Sequence, residues 1–148
     1  MKFTVIKKEK DFTSEITRTK LVDFLFTNLD RFGDPKKDID NCIAYALSDA
    51  EGKGGFIVVG EDEGEVVSAV IMNKTGMSGF IPEYVLVYVA TLANKRGKGY
   101  GSKIINKVHE IAGTDVKLHV EYDNPAKRLY ERLGYVNKYA EMRWSKER

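Results

Sequence analysis

Apolar and charged residues alternate from Lys2 to Lys8, with Phe3 and Val5 on one side, and that period of two predicts a first strand. From Ser14 to Leu29 the apolar positions Ile16, Leu21, Phe24, Leu25 and Leu29 follow helical spacing, and Arg31-Phe32-Gly33-Asp34-Pro35 interrupts them with turn chemistry. A second helix is expected from there, with Asp34 as its cap, Pro35 at its first helical position, and Ile39, Ile43, Ala46, Leu47 and Ala50 on one face, ending at Gly52 to Gly55. Two β-branched runs, Phe56 to Glu61 and Glu65 to Asn73, are joined through Asp62-Glu63-Gly64 and predict an antiparallel hairpin.

The run from Glu83 to Leu92 is almost unbroken in apolar residues, as in a strand covered on both faces. A glycine-rich stretch follows, then a helix with Ile104, Ile105, Val108, Ile111 and Ala112 on one side and Gly113 as its stop. Val116, Leu118 and Val120 alternate with Lys117, His119 and Glu121 in a further strand, and a short helix presents Ala126, Leu129, Tyr130 and Leu133 before Gly134. Tyr135 to Ser145 is expected to close the chain as a strand. The order βααβββαβαβ requires antiparallel pairing in the first half and parallel pairing in the second. The fold class is therefore α/β with a mixed sheet flanked by helices, in one domain spanning residues 1–148.

Composition narrows the function classes. Twenty-four Lys and Arg against 22 Asp and Glu give a net charge of +2, too little for a non-specific nucleic-acid binder. The start lacks a signal-peptide run and no stretch is apolar enough to span a bilayer, so a cytoplasmic protein with neither a nucleic-acid nor a membrane partner is expected. Cys42 is the single cysteine, read either as a small buried helix residue or as a nucleophile, and neither histidine has metal-site spacing, so no metal is expected.

The chemistry concentrates in Arg96-Gly97-Lys98-Gly99-Tyr100-Gly101-Ser102, between the buried strand and an amphipathic helix. Glycines let the backbone approach a ligand, and the first amides of a helix lack intrahelical partners, so an anion-binding cradle is expected. The spacing is neither that of a Walker loop nor that of the dinucleotide fingerprint. Arg96, Gly99 and Gly101 instead match the signature of the GCN5-related N-acetyltransferases: Arg or Gln, two residues, Gly, one residue, Gly or Ala. The segment Asp123-Asn124-Pro125-Ala126-Lys127-Arg128-Leu129-Tyr130-Glu131-Arg132-Leu133-Gly134-Tyr135 resembles the second recognisable segment of that family.

The resemblance implies an acyl-coenzyme A N-acyltransferase fold and transfer of an acetyl group from acetyl-coenzyme A directly to an amine of a small molecule or a protein, in a ternary complex. It implies that Gly97, Lys98, Gly99, Tyr100, Gly101 and Ser102 hold the pyrophosphate through their amides. Arg96 would shape the loop or add charge near the phosphates, and Lys98 and Lys103 would reach the outer phosphate. Val89, Ala90 and Thr91 would offer a splayed strand edge to the pantetheine, and a backbone amide there would polarise the thioester carbonyl.

Asn124 is read both as a helix cap and as a pantetheine contact. Tyr130 is read as the proton donor to the departing thiolate, with a core tyrosine as its alternative. His119 is a candidate base, although the family often has a glutamate near that position and some members deprotonate the amine through water. His109 is expected to be a solvated surface residue.

By the same resemblance the acceptor would be bound by residues 28–40 and 135–144. The carboxylates Asp30, Asp34, Asp38 and Asp40 would suit a cationic amine or merely favour a helix start. Phe32, Phe80, Tyr84 and Tyr88 would line a pocket or fill the core. The short run after Trp144 leaves little chain for a terminal hairpin. A homodimer is expected on family grounds, and a coenzyme A-binding sensor without catalysis is the alternative function.

Overall fold

A computed structural model describes residues 1–147. Its elements are β1 (Lys2–Ile6), α1 (Arg18–Leu29), α2 (Lys36–Ala46), β2 (Gly55–Asp62), β3 (Glu65–Lys74), β4 (Tyr84–Thr91), α3 (Tyr100–Ala112), β5 (Val116–Leu118) and α4 (Ala126–Arg132). The five strands lie in sequence order in one mixed sheet, antiparallel except for the β4–β5 pair.

The alternation along each strand sends its side chains into two separate cores. Ile57, Val59, Ala69, Ile71, Tyr88 and Ala90 meet Leu21, Leu25, Ile39 and Ile43 of α1 and α2 on one face. Phe56, Val58, Val70, Met72 and Leu86 meet Ile104, Ile105, Val108 and Tyr130 on the other. Because β2 and β3 are covered on both faces, they read as continuous apolar runs. The β2–β3 hairpin turns at Glu63 (φ 52°) and Gly64 (φ 77°), the two left-handed residues of a tight two-residue loop.

Several expected boundaries move. The first helix begins at Arg18 because the Thr17 side chain accepts from the Lys20 amide at 3.1 Å, and Ile16 is buried just ahead of it. The second begins at Lys36 with Pro35 at its cap position and no side-chain cap, so Asp34 does not cap it.

The strand expected over Val116 to Glu121 stops at Leu118, pairing only Tyr84, Val85 and Leu86 of β4. A bulge in the β3–β4 ladder, between Ile71 and Met72, leaves Val87 as an extra residue on β4 at this point. Bulges add twist and end pairing, which carries the rest of β4 away from β5. The closing strand expected over Tyr135 to Ser145 does not form: no strand is present among the described residues after β5. Tyr135, Tyr139, Met142 and Trp144 do not keep a period of two, and a three-residue β5 offers almost no edge to pair with.

Candidate active site

The truncation of β5 creates the central feature of the site. On one side β4 is paired with β3 from Tyr84 to Thr91, and on the other it is free from Val87 onward. Val89, Ala90 and Thr91 lie on this unpaired stretch, which leads directly into the glycine loop. A strand edge without a neighbour presents backbone N–H and C=O groups to whatever enters the gap.

The loop itself is built for backbone exposure. Gly97 and Gly99 take φ of 80° and 85°, and no atom lies within 4 Å of where a Cβ would stand on either. Gly99 occupies the cap position of α3 without any side-chain cap, so the first amides of α3 have no side-chain partner. Together with the helix dipole, they favour an anion. Gly101 serves packing instead: a Cβ there would come 2.9 Å from Leu129 Cδ2, so its absence lets α3 approach α4.

Polar contacts fix the loop at both ends. Arg96 Nη2 donates to the Asn28 carbonyl at 2.6 Å, which ties the loop to the end of α1. Asn28 is buried, accepts from the Ala93 amide at 2.9 Å and donates to the Phe24 carbonyl at 2.9 Å, tying the loop to the end of α1. The sequence reading missed it, and a lone polar residue on an apolar helical face was the available signal. Tyr100 donates from its hydroxyl to Asp62, which holds the start of α3 to the β2–β3 hairpin and keeps the Asp62 carboxyl below its ordinary range. Ser102 is half-buried, whereas Lys98 and Lys103 are exposed at the loop and the first turn.

On the second segment, Asn124 Oδ1 accepts from the Ala126 amide at 2.9 Å, which is a turn-capping bond that leaves the amide nitrogen of its side chain available as a donor. Tyr130 is 7% exposed, and its ring meets Tyr135 edge to face at 5.9 Å. Burial, then the neighbouring Tyr135, pushes its phenol up to about 12, so it stays protonated at neutral pH. Among the described residues its hydroxyl has no hydrogen-bond partner.

His119 stands exposed one residue beyond β5, and Glu121 is likewise exposed. His109 departs from its expected place in solvent. It is half-buried, its Nε2 lies 2.8 Å from the Tyr135 hydroxyl, and burial lowers its pKa.

The aromatic residues do not gather in one pocket. Phe80 is exposed, Tyr84 packs against Phe56 on the α3 face, and Tyr88 is buried on the α1–α2 face. Cys42 lies on α2 and packs against the core, and its thiol is pushed by burial up to about 12, so a nucleophilic thiolate is disfavoured. Among the described residues no group of three His, Cys, Asp or Glu side chains could hold a metal ion, and no helix is long and apolar enough to cross a membrane.

Comparison with known proteins places this geometry. Residues 53–137, more than half of the chain, match the family model described as acetyltransferase (GNAT) domain. No curated protein sequence matches significantly. The fold is similar to that of a ribosomal-protein-alanine N-acetyltransferase from Brucella melitensis biovar Abortus 2308, with a TM-score of 0.63 at 14% identity, covering 98% of this chain and 99% of that one. It is also similar to an aminoglycoside 6'-N-acetyltransferase from Acinetobacter haemolyticus, with a TM-score of 0.64 at 12% identity over 99% and 98% of the two chains. A histone acetyltransferase and related acetyltransferase from Corynebacterium glutamicum is 25% identical, with a TM-score of 0.57 over 92% and 86%.

Proposed function

The chain belongs to the GNAT acetyltransferase family, and from that premise we propose that it transfers the acetyl group of acetyl-coenzyme A to an amine in a ternary complex. The observation that carries the reading is the free edge of β4 from Val87 to Thr91 running straight into an uncapped, glycine-led helix start. An extended ligand ending in a pyrophosphate fits that sequence of features: strand-edge groups for an amide-bearing arm, then backbone amides and a helix dipole for the phosphates.

In this reading Gly97 to Ser102 bind the pyrophosphate through their amides, and Lys98 and Lys103 stand near enough in sequence to serve an outer phosphate. Arg96 contributes through its bond to Asn28 rather than as a phosphate ligand. Val89, Ala90 and Thr91 align the arm, and the Asn124 side-chain N–H donates to it while Oδ1 caps the turn. The cosubstrate supplies an activated acyl group: a C–N bond forms as the thioester C–S bond breaks, the amine loses a proton, and the thiolate gains one. Tyr130 holds the phenolic proton that reaches the thiolate, and its burial keeps that proton in place until then. His119 is exposed and makes no hydrogen bond that would orient it among the described residues, which favours loss of the amine proton to water over a dedicated base at that position.

Calorimetric titration with acetyl-coenzyme A, with a nucleotide triphosphate as competitor, tests the binding half. Release of free thiol on adding amines tests the transfer half. Binding of acetyl-coenzyme A undisturbed by the nucleotide, followed by amine-dependent thiol release, is the expected result. Binding without release from any amine would favour the sensor alternative, and absence of binding would overturn the reading.

A further inference from the structure

Tyr130 is buried, and its hydroxyl has no hydrogen-bond partner among the described residues, so the packing around its ring is what aims it. Tyr135 is joined to it twice. Gly134, with φ of 98°, ends α4 in the left-handed region and turns the chain back, and the Tyr135 amide then donates to the Tyr130 carbonyl at 3.0 Å. The Tyr135 ring also meets that of Tyr130 edge to face at 5.9 Å.

His109 in turn holds Tyr135 from α3. Its Nε2 lies 2.8 Å from the Tyr135 hydroxyl, and the two rings are 5.5 Å apart and tilted by 41°. Burial lowers the His109 pKa, so the imidazole is neutral at pH 7. A phenol both donates and accepts, so the bond forms with either imidazole tautomer. Lys107 and Glu110, on the same helix, pair with one another at 3.6 Å and leave the imidazole to Tyr135.

This contact joins two helices with different tasks: α3 begins at the glycine loop, and α4 carries Tyr130. Gly101 sits against Leu129 at the start of α3, and His109 reaches Tyr135 eight residues later, about 12 Å further along the helix. The first contact is apolar and tolerates sliding, whereas a hydrogen bond fixes distance and angle. Among the described residues the His109–Tyr135 bond is the one side-chain hydrogen bond between α3 and the segment from α4 to Tyr135. We propose that His109 is a positioning residue for acetyl transfer: through Tyr135 it holds the Tyr130 phenol in register with the glycine loop at the other end of α3. The inference rests on the acetyl-transfer reading and adds to it a residue that the reading leaves idle. No proton passes through His109 in this role.

The test compares wild type with Tyr135→Phe, His109→Phe and His109→Gln, and repeats Tyr135→Phe in a Tyr130→Phe background. Thiol release is measured at saturating acetyl-coenzyme A with 1-aminobutane, a lysine peptide and kanamycin as acceptors. Calorimetric affinity for acetyl-coenzyme A and melting temperature are followed in parallel. One positioning hydrogen bond corresponds to a fall in kcat of roughly 3- to 10-fold in Tyr135→Phe and His109→Phe, with acetyl-coenzyme A affinity within about twofold of wild type. His109→Gln, whose amide both donates and accepts, should recover most of the loss. In the Tyr130→Phe background, Tyr135→Phe should change kcat by less than about twofold, because the group being placed is gone. Tyr135→Phe loses a single oxygen and decides the matter if a His109 variant fails to fold.

A kcat unmoved by Tyr135→Phe, an equal fall with and without the Tyr130 hydroxyl, or a loss confined to melting temperature or acetyl-coenzyme A affinity would overturn this inference and leave acetyl transfer standing. No thiol release from any of the three amines despite bound acetyl-coenzyme A would overturn both.

Discussion

Replacing Asn28 with Ala should loosen the donor side of the site without touching any residue proposed to meet the ligand. The substitution removes the acceptor of the Ala93 amide and the donor to the Phe24 carbonyl, each at 2.9 Å, from a buried position. Leaving a part-buried N–H unpaired costs about 1–2 kcal/mol, and the second bond, to a carbonyl already inside a helix, adds about 0.5–1. Alanine's better helix propensity inside α1 offsets roughly 0.5 kcal/mol. A net loss of about 2 kcal/mol corresponds to a fall in melting temperature of about 4–8 °C for a chain of this size. The loop would lose its side-chain anchor at Ala93 and keep only the Arg96 bond to the residue 28 carbonyl, so acetyl-coenzyme A should bind more weakly, while kcat at saturating cosubstrate should hold. Thermal denaturation by circular dichroism and calorimetric titration measure the two effects. A melting shift under about 2 °C with unchanged affinity would refute the claim that Asn28 anchors the loop.

Other outcomes follow from the same structure. Tyr130→Phe should lower kcat by roughly 10²-fold or more while shifting the melting temperature little, because its hydroxyl has no hydrogen-bond partner among the described residues; steady-state kinetics with a thermal melt checks both. Gly99→Ala should cost about 1 kcal/mol through its left-handed φ of 85° alone, since there is open space for the methyl group, and should weaken acetyl-coenzyme A binding. Cys42→Ala should retain activity, and native Cys42 should react slowly with a thiol reagent at pH 7.5, because its pKa lies up at about 12. His109 has a lowered pKa in the folded state, so the unfolded chain binds more protons as pH falls below 6.5. Its stabilising contribution is complete above the unfolded value and is lost as pH drops toward the folded one; His109→Gln should flatten the melting temperature between pH 7.5 and 5.

Much of the backbone around the glycine loop was legible because its signals are local. The left-handed glycines of the loop, the apolar β4 and the Asn124–Tyr135 segment each combine residue types and spacings that have few structural solutions, and the hairpin at Glu63-Gly64 is of the same kind. What escaped depends on distance along the chain. Alternation from Val116 to Glu121 says strand, but pairing ends at Leu118 because a bulge on β4 turns the partner edge away. The closing strand failed for want of an edge rather than of β-branched or aromatic residues.

Asp34 illustrates the same limit: beside a proline and a helix it reads as a cap, and only the fold brings Tyr88, 54 positions later, to claim its carboxylate. His109 reads as a surface residue on a helix, and only the chain beyond α4 brings Tyr135 to it. Asn28 was likewise visible as a residue but not as an anchor, since both the amide and the guanidinium it receives come from the loop after β4.

The measurement that bears most directly on the central claim is one reaction followed in two ways: free thiol released from acetyl-coenzyme A and acetylated amine detected by mass spectrometry, with wild type and Tyr130→Phe side by side. Thiol and acetylated amine are expected in equal amounts, at a rate that depends on the amine and drops sharply in the variant. Thiol release that proceeds without acetylated amine, or at the same rate in Tyr130→Phe, would contradict it.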